Sequence, residues 1–409
     1  MLVICFRIIK FNIIIFFILI LRVDFDELSH NLDFIFGNKI NSESNLFKKY
    51  TFNNNVEVQN RLVIAPLTLL CSNKDGTISN QEREYLQKRG TNIGLYIFGS
   101  TAVSQEGITF LNQPRAYTEN DIPSLKERAN IIKAQGALAI NQIHHGGALS
   151  SEKYSGLHPV SPSSNQSNIH ELNDNEINEL IEKFRYSAEL SLKAGFDGVE
   201  IHGANKYLLQ QFYSPHTNHR NDKWGGSDEN RMNFALKIID AICSMRDKYK
   251  RSDFIIGFRI SPEEPYDDGI TMTETLKLVK ALSLKPIQYI HVSQNNFYGK
   301  VRRGEGLGIE RLKLIHEITK SNNIALIGVG GLKSENDVNS AIKSGLSEFV
   351  AVGMASLLNK DFGILLKENK GNQINMEFDK YHPEKYSVPK NLWNFIVNET
   401  PTPSHKKSY

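Results

Sequence analysis

Eight short apolar runs, separated by longer amphipathic stretches, constrain the fold of this chain more than any other feature. The runs are rich in Ile, Val, Leu and Phe, which is typical of parallel strands that are buried on both faces. They comprise Leu62–Ala65, Leu95–Gly99, Ala137–Ile143, Gly198–His202, Phe254–Ile260, Tyr289–Ser293, Ala325–Val329 and Phe349–Val352. Eight such strand–helix units predict an α/β fold, a (β/α)8 TIM barrel.

The stretches between the runs carry helix signals. Asn173 and Glu176 have the spacing of a capping box, and Gly195 suits the left-handed residue that ends the helix. Ser334 and Asp337 likewise predict the start of a helix. A doubly wound open sheet is the main alternative, but no Gly-x-Gly-x-x-Gly fingerprint follows the first run, which disfavours it.

The chain divides into three parts by composition. Residues 46–380 hold the barrel, and residues 381–409 are a polar, Pro-punctuated segment that we expect to wrap the barrel and then fray. Residues 1–45 form a hydrophobic and polar extension whose apolar core, Phe11–Leu21, is shorter than the roughly 20 residues of a spanning helix. A membrane anchor, a mis-assigned translation start and a cleaved signal peptide are the three interpretations of this extension.

Charge and cysteine usage exclude several classes of protein. The formal net charge is only +3 and the basic residues are scattered, so no nucleic-acid partner is expected. Cys5, Cys71 and Cys243 lie far apart and match neither a metal site nor a disulfide framework. We therefore expect a cytoplasmic protein, with membrane contact only if the N-terminal extension belongs to it.

Chemistry in a barrel of this kind takes place at the carboxyl ends of the strands. The third run ends in Gln142, whose amide offers both an acceptor and donors, followed by His144 and His145. Adjacent strand residues point to opposite faces, so the two histidines do not share one ion and no metal site is expected.

The fourth run ends in His202, and Asn205 and Tyr207 follow. If the chain turns helically here, His202 and Asn205 lie on one face and form a two-donor cradle for a carbonyl oxygen. Tyr207 then offers a phenolic proton, which makes these three the candidate catalytic residues. Arg259 lies inside the apolar fifth run, where its charge is costly unless it is paired, and Glu200 is one candidate partner.

Glycines follow the last two runs. Gly330 and Gly331 end the seventh, and Gly353 and Met354 follow the eighth. Barrels commonly bind phosphate at these two loops through backbone N–H groups.

Two of these segments together resemble the old yellow enzyme family of FMN-dependent ene-reductases. The first is His202-Gly203-Ala204-Asn205-Lys206-Tyr207, and the second is His219–Arg231, with its Trp-Gly-Gly-Ser and Glu-Asn-Arg elements. The resemblance spans about Leu46 to Asn398. It implies a single catalytic domain that binds FMN noncovalently and is reduced by NADH or NADPH. It also implies that the His219–Arg231 segment is scaffold for the mouth of the barrel.

The resemblance also implies the residues that contact the flavin. Thr68, after Ala65 and Pro66, faces the ring, and Ser100 packs against it. Gln142 binds the pyrimidine edge and Arg259 lies beside the N1–C2=O edge. The family usually has an arginine where this chain has Met354, so phosphate binding is expected to rely on the backbone or on another cation such as Lys333.

The predicted activity is NAD(P)H-dependent reduction of the C=C bond of α,β-unsaturated carbonyl compounds. The alternatives are a reductase of quinones, nitro compounds or flavin, and a barrel that has lost its cofactor. His202 and Asn205 would bind the small-molecule substrate, with Leu70 and Tyr298 shaping its pocket. The choice between NADH and NADPH and the formation of a homo-oligomer are left open.

A shortened chain tests the interpretations of the N-terminal extension. If the translation start is mis-assigned, a protein that begins near Asn45 should be soluble and should retain FMN, because the predicted barrel lies wholly downstream. Gel filtration and the flavin absorbance band measure both properties. An insoluble or colourless product would rule out a spurious start.

Overall fold

A computed structural model describes residues 45–164 and 166–399 of the chain. The predicted hydrophobic extension, apart from Asn45, and the last ten residues lie outside the described range. None of the helices in the described residues is long and apolar enough to span a lipid bilayer.

Eight parallel strands close into a barrel, which confirms the predicted fold and excludes the open sheet. In chain order they are β1 (Leu62–Ile64), β2 (Leu95–Ala102), β3 (Leu138–His144), β4 (Gly198–Gly203), β5 (Ile255–Ile260), β6 (Tyr289–Val292), β7 (Ala325–Val329) and β8 (Phe349–Val352). Each strand pairs with its neighbour in sequence, and β8 pairs with β1. All eight apolar runs therefore became barrel strands.

Helices surround the barrel. They are α1 (Asn80–Leu86), α2 (Ile122–Lys133), α3 (Glu152–Ser155), α4 (Asp174–Lys193), α5 (Leu208–Tyr213), α6 (Asp228–Lys248), α7 (Met272–Ser283), α8 (Arg311–Ser321), α9 (Glu335–Lys343), α10 (Met354–Leu358), α11 (Phe362–Lys367) and α12 (Lys390–Glu399). Four short strands lie outside the barrel: Tyr50–Thr51, Glu57–Val58, Val160–Ser161 and His170–Glu171.

The predicted helix starts are confirmed. Asn173 caps α4 in a capping box with Glu176, and Ser334 caps α9 in the same way with Asp337. These boxes satisfy backbone N–H groups that have no partner within the helix. Gly195 follows α4 with φ of +87°, the left-handed conformation expected of it.

The N-terminal hairpin closes the bottom of the barrel. Its two strands, Tyr50–Thr51 and Glu57–Val58, pair antiparallel, and Phe52 between them stacks on Phe349 of β8 with ring centroids 5.5 Å apart. Phe52 is buried in the same apolar cluster as Tyr289 and the interior residues of the other strands. Tyr289 occupies the space beside Gly257, where any Cβ would lie 2.1 Å from the tyrosine ring. Apolar side chains therefore fill the bottom of the barrel, and polar side chains that could take part in chemistry lie at its top.

The C-terminal segment packs on the outside of the barrel. Tyr386 and Trp393 are buried, with ring centroids 5.2 Å apart, and Phe378 stacks on Trp393. Asn391 of α12 donates its amide to the backbone carbonyl of Leu70, whose φ is +56°. The segment thus holds the loop that follows β1.

A buried ion pair joins α1 to α2. Arg128 contacts both carboxylate oxygens of Glu82, at 2.7 and 3.0 Å, and neither side chain is more than 1% exposed. Arg128 also donates to the Ser72 hydroxyl and to the Gly76 carbonyl. The pair ties the loop after β1 to the helical layer.

Substitution of one partner should destabilise the protein strongly. Arg128→Met leaves the Glu82 carboxylate buried without its counter-charge, so the free energy of unfolding should fall by about 3–5 kcal/mol. The double variant Arg128→Met, Glu82→Leu should lose less, because no charge remains buried. Urea unfolding of both variants measures this difference, and a double variant as unstable as the single one would contradict it.

Candidate active site

Polar side chains from four adjacent strands share the interior of the barrel near its top. Strand registers place Gln142 beside Glu200, and His202, Arg259 and His291 side by side on β4, β5 and β6. Because alternate strand residues face the same side, His144 lies above Gln142 and His202 above Glu200. All six side chains are buried, with at most 8% exposure.

Glu200 is the anion of this layer. Its two carboxylate oxygens accept hydrogen bonds from the Gln142 amide nitrogen at 2.7 Å and from His291 Nδ1 at 2.9 Å. Burial opposes ionisation, but His291, Arg259 and Gln142 together lower the pKa of Glu200 below its usual range. Burial lowers the pKa of His291. We therefore assign a charged carboxylate that is held by a neutral imidazole.

Arg259 is the cation of this layer, and its guanidinium has no direct counter-ion. No salt bridge or hydrogen bond within residues 45–399 engages it, and its buried Nε lacks any partner. Glu200, already bonded to Gln142 and His291, acts on it only at longer range. The alternative of an Arg259–Glu200 salt bridge is therefore not realised. A buried guanidinium without a partner is costly, which indicates that a ligand supplies the missing acceptor.

The same residues fit the pyrimidine edge of a flavin. Gln142 uses its amide nitrogen on Glu200, and its carbonyl oxygen accepts no hydrogen bond from a described residue. An acceptor at Gln142 and donors at Arg259 match the alternating groups of that edge. The expected cofactor contacts at these two residues therefore remain consistent with the geometry.

His202 is a neutral hydrogen-bond donor. Its Nδ1 accepts the backbone N–H of Ala204 at 3.3 Å, which assigns the proton to Nε2. Burial, aided by His144 and Arg259, lowers the pKa of His202 well below its usual range. The ring therefore offers a neutral N–H at the mouth of the barrel.

The predicted helical turn after β4 is wrong. Asn205 and Lys206 adopt left-handed conformations, with φ of +58° and +66°, and α5 begins only at Leu208. The Asn205 amide oxygen accepts the Ser293 hydroxyl at 2.9 Å, and its backbone N–H donates to the Ser261 hydroxyl at 2.9 Å. Serines that follow β5 and β6 thus anchor Asn205, and its amide nitrogen makes no bond to a described residue.

Tyr207 packs against both histidines. Its ring centroid lies 4.4 Å from that of His144 and 5.1 Å from that of His202, with the rings edge to face. Phe110 contacts Tyr207 and His144 from the loop after β2. Burial raises the pKa of Tyr207, so the phenol keeps its proton near neutral pH.

His144 ends β3 and His145 follows it, and the two have different surroundings. His144 Nε2 bonds the Thr109 hydroxyl at 2.9 Å, and its Nδ1 has no partner. His145 lies against Gly107 and 4.0 Å from Glu106. Burial lowers the pKa of His144 to about 3 and that of His145 to about 4. Within the described residues, no group of three or more His, Cys, Asp or Glu side chains is arranged to hold a metal ion.

The ends of β1 and β2 carry smaller side chains. Ala65 donates its backbone N–H to Val352 of β8, and Pro66 and Thr68 follow it half-buried. Ser100 is 4% exposed, and its hydroxyl accepts the Gln113 amide at 3.2 Å. The structure leaves the flavin contacts of these four residues as predictions.

The predicted phosphate loops lie at the ends of β7 and β8. Gly330 and Gly331 have φ of +137° and +68°, and a Cβ on Gly330 would lie 2.7 Å from the backbone of Asn296 and Phe297. Gly353 precedes α10, and Met354, its first residue, is 47% exposed. Gly331 is exposed and Gly353 is half-buried, whereas Gly330 is buried against the loop after β6, and Met354 offers no charge to a phosphate.

The two residues expected to shape the pocket lie farther along the rim. Leu70 is held by Asn391 of α12, and Tyr298 is 41% exposed and contacts the ring of Phe297. No hydrogen bond or ring contact joins either residue to His202, Asn205 or Tyr207 in the described structure. Their substrate contacts stay predictions.

Sequence reasoning missed His291, Thr109 and Phe110. His291 lies two residues after Tyr289 and therefore shares its interior face, so the alternation of β6 was the available signal. Thr109 and Phe110 come from a loop and carried no such signal.

The His219–Arg231 segment supports the mouth, as expected. Ser227 caps α6, Trp224 donates its indole N–H to Asp174, and Arg231 donates to the Tyr213 carbonyl. Arg220 holds the carbonyls of Pro162 and Leu172. The segment thus joins α5 and α6 to the start of α4.

Comparisons with known proteins agree with this geometry. The sequence is 40% identical over 358 residues to the "Probable NADH-dependent flavin oxidoreductase YqiG" of Bacillus subtilis, covering 86% of this chain and 96% of that protein. It is 31% identical over 322 residues to 12-oxophytodienoate reductase 1 of Oryza sativa subsp. japonica, covering 75% and 82%. It also matches the NADH:fumarate oxidoreductase of Klebsiella pneumoniae at 32% identity, but spans only 39% of that protein.

The fold agrees as well. An old yellow enzyme homologue from Zymomonas mobilis superposes with a TM-score of 0.72 at 23% identity, covering 84% of this chain and 99% of that one. Residues 45–373 match the NADH:flavin oxidoreductase / NADH oxidase family. The chain therefore belongs to that family, the old yellow enzyme family, and is an NAD(P)H-dependent FMN oxidoreductase.

Proposed function

We propose that this protein uses NAD(P)H to reduce the activated C=C bond of α,β-unsaturated carbonyl compounds. The observation that carries the proposal is the contact between the rings of His202 and Tyr207, with Arg259 beside His202 on the neighbouring strand. His202 offers a neutral N–H and Tyr207 a phenolic proton, and the centroids of the two rings are 5.1 Å apart. A hydrogen-bond donor for a carbonyl and a proton donor for the adjacent carbon are what this reduction needs.

Each residue has a defined task in the proposed reaction. When bound, FMN supplies the hydride chemistry that links NAD(P)H to the alkene. His202 Nε2 donates to the carbonyl oxygen of the substrate, and the free amide nitrogen of Asn205 donates to the same oxygen. Tyr207 gives its proton to the α-carbon. Arg259 and Gln142 would hold the cofactor, and the Arg259 guanidinium would stabilise negative charge on it.

The names of relatives support the substrate class. The rice relative is named for 12-oxophytodienoate, a compound whose name describes an oxo group and two double bonds. A reductase of quinones or nitro compounds remains the alternative, and it needs no proton from Tyr207.

Removal of the phenolic proton should separate the two half-reactions. Tyr207→Phe keeps the ring contacts with His144 and His202, but should slow alkene reduction by about 10²–10⁴-fold. Reduction of the flavin by NAD(P)H should change little, because that step takes no proton from Tyr207. Stopped-flow measurements of the two half-reactions, with Tyr154→Phe as an exposed control, test this. Equal slowing of both steps would refute the proton-donor role.

The alkene half-reaction should depend little on pH. The pKa of His202 is lowered and that of Tyr207 is raised, so His202 stays neutral and Tyr207 stays protonated between about pH 6 and pH 9. The rate constant of the reduced enzyme with an enone should therefore vary by less than roughly threefold over this range. A rate that falls about tenfold per pH unit below pH 7 would mean that His202 titrates normally.

A further inference from the structure

A cleft of about 550 Å³ opens beside the turn that carries Asn205 and Tyr207. Its volume lies in the range of about 300–1,000 Å³ that is typical of small-molecule sites. Lys206, His216, Tyr266 and Glu171 are among the residues that line it. None of these four side chains has a task in the reaction proposed above.

Lys206 brings an uncompensated charge to the cleft. Its ammonium donates to the Tyr266 hydroxyl at 3.0 Å and lies 4.9 Å from the centre of that ring. No carboxylate pairs with it among residues 45–164 and 166–399. Lys206 lies between Asn205 and Tyr207 in the chain, and its side chain lines the cleft. An anionic group is the ligand that this position favours.

His216 and Tyr266 form a flat aromatic platform beside that charge. Their rings stack with centroids 3.9 Å apart and an interplanar angle of 11°. Asp268 accepts from His216 Nδ1 at 2.7 Å and so fixes the orientation of the imidazole. A rigid stacked pair of this kind suits a planar heterocycle.

Glu171 adds a carboxylate to the lining of the cleft. One of its oxygens accepts the Ser164 backbone N–H at 3.0 Å and the other lies 3.9 Å from Arg220, but the side chain is 52% exposed, so acceptor capacity remains. In dinucleotide sites a carboxylate accepts the ribose hydroxyls of NAD and disfavours the 2′-phosphate of NADP. The cleft thus offers a cation at Lys206, an aromatic platform and a carboxylate at Glu171. These are the groups that a site for adenosine diphosphate needs.

We propose that this cleft binds the ADP-ribose half of the reductant. Lys206 contacts the pyrophosphate, the His216–Tyr266 platform supports the adenine, and Glu171 accepts the hydroxyls of the adenosine ribose. The inference rests on the proposed function, since it takes the nicotinamide ring to lie at His202 and Asn205. It also assigns NADH, rather than NADPH, as the preferred reductant.

Lys206→Asn tests the charge, because asparagine tolerates the left-handed backbone at this position. Flavin reduction in the full-length FMN-loaded protein is followed by stopped flow with NADH and with reduced nicotinamide riboside, which lacks both phosphates and the adenosine. The ratio of the Kd for NADH to the Kd for the riboside should rise about tenfold. Lys153→Asn, which removes another exposed lysine over a tyrosine ring, should leave the ratio unchanged.

Glu171→Gln tests the preference for NADH, and should reduce the NADH-to-NADPH ratio of kcat/KM by about fivefold or more. Added ADP-ribose should compete with NADH in the unsubstituted protein. If the NADH-to-riboside ratio of Kd values is the same in Lys206→Asn as in Lys153→Asn, the assignment is wrong. It is also wrong if Lys206→Asn weakens only the binding of the enone, because the cleft would then be a substrate site. Failure of both reductants to reduce the flavin overturns the proposed function itself, and the assignment with it.

Discussion

The buried carboxylate of Glu200 is the interaction on which the rest of the site depends. Gln142 and His291 satisfy its two oxygens, so the anion persists inside the barrel without a direct salt bridge. A carboxylate in this position makes the buried cation of Arg259 tolerable while leaving its guanidinium free. A buried charge without an opposite charge nearby is costly. Removal of either Glu200 or Arg259 would therefore destabilise the one that remains. The result is a buried cation beside His202 whose guanidinium stays available to a ligand.

The other titratable groups around these two charges are neutral. Burial keeps His202 and His144 unprotonated and keeps the proton on Tyr207. In the proposed reaction, the buried charges would stabilise a reduced cofactor, and the neutral groups would carry out proton transfer and carbonyl polarisation. Lys206, in the left-handed turn after β4, also lines the cleft.

Sequence predicted the barrel well because its signals are local. Each apolar run, and each capping box such as Asn173 with Glu176, can be recognised from a few consecutive residues. The site was harder, because its contacts join strands far apart in the chain. The Glu200–His291 bond spans 91 positions, and the serines that hold Asn205 lie 56 and 88 residues away. Those serines accompany a left-handed turn where spacing alone suggested a helix.

The central claim is that the polar layer at the top of the barrel was assembled to hold a flavin ring. A crystal structure of the FMN complex tests it most directly. The account predicts that the Arg259 guanidinium and the Gln142 carbonyl oxygen lie within hydrogen-bonding distance of the flavin pyrimidine edge, with His202 and Tyr207 facing the open side of the ring. A flavin bound elsewhere, or an Arg259 that turns away to pair with Glu200, would contradict it.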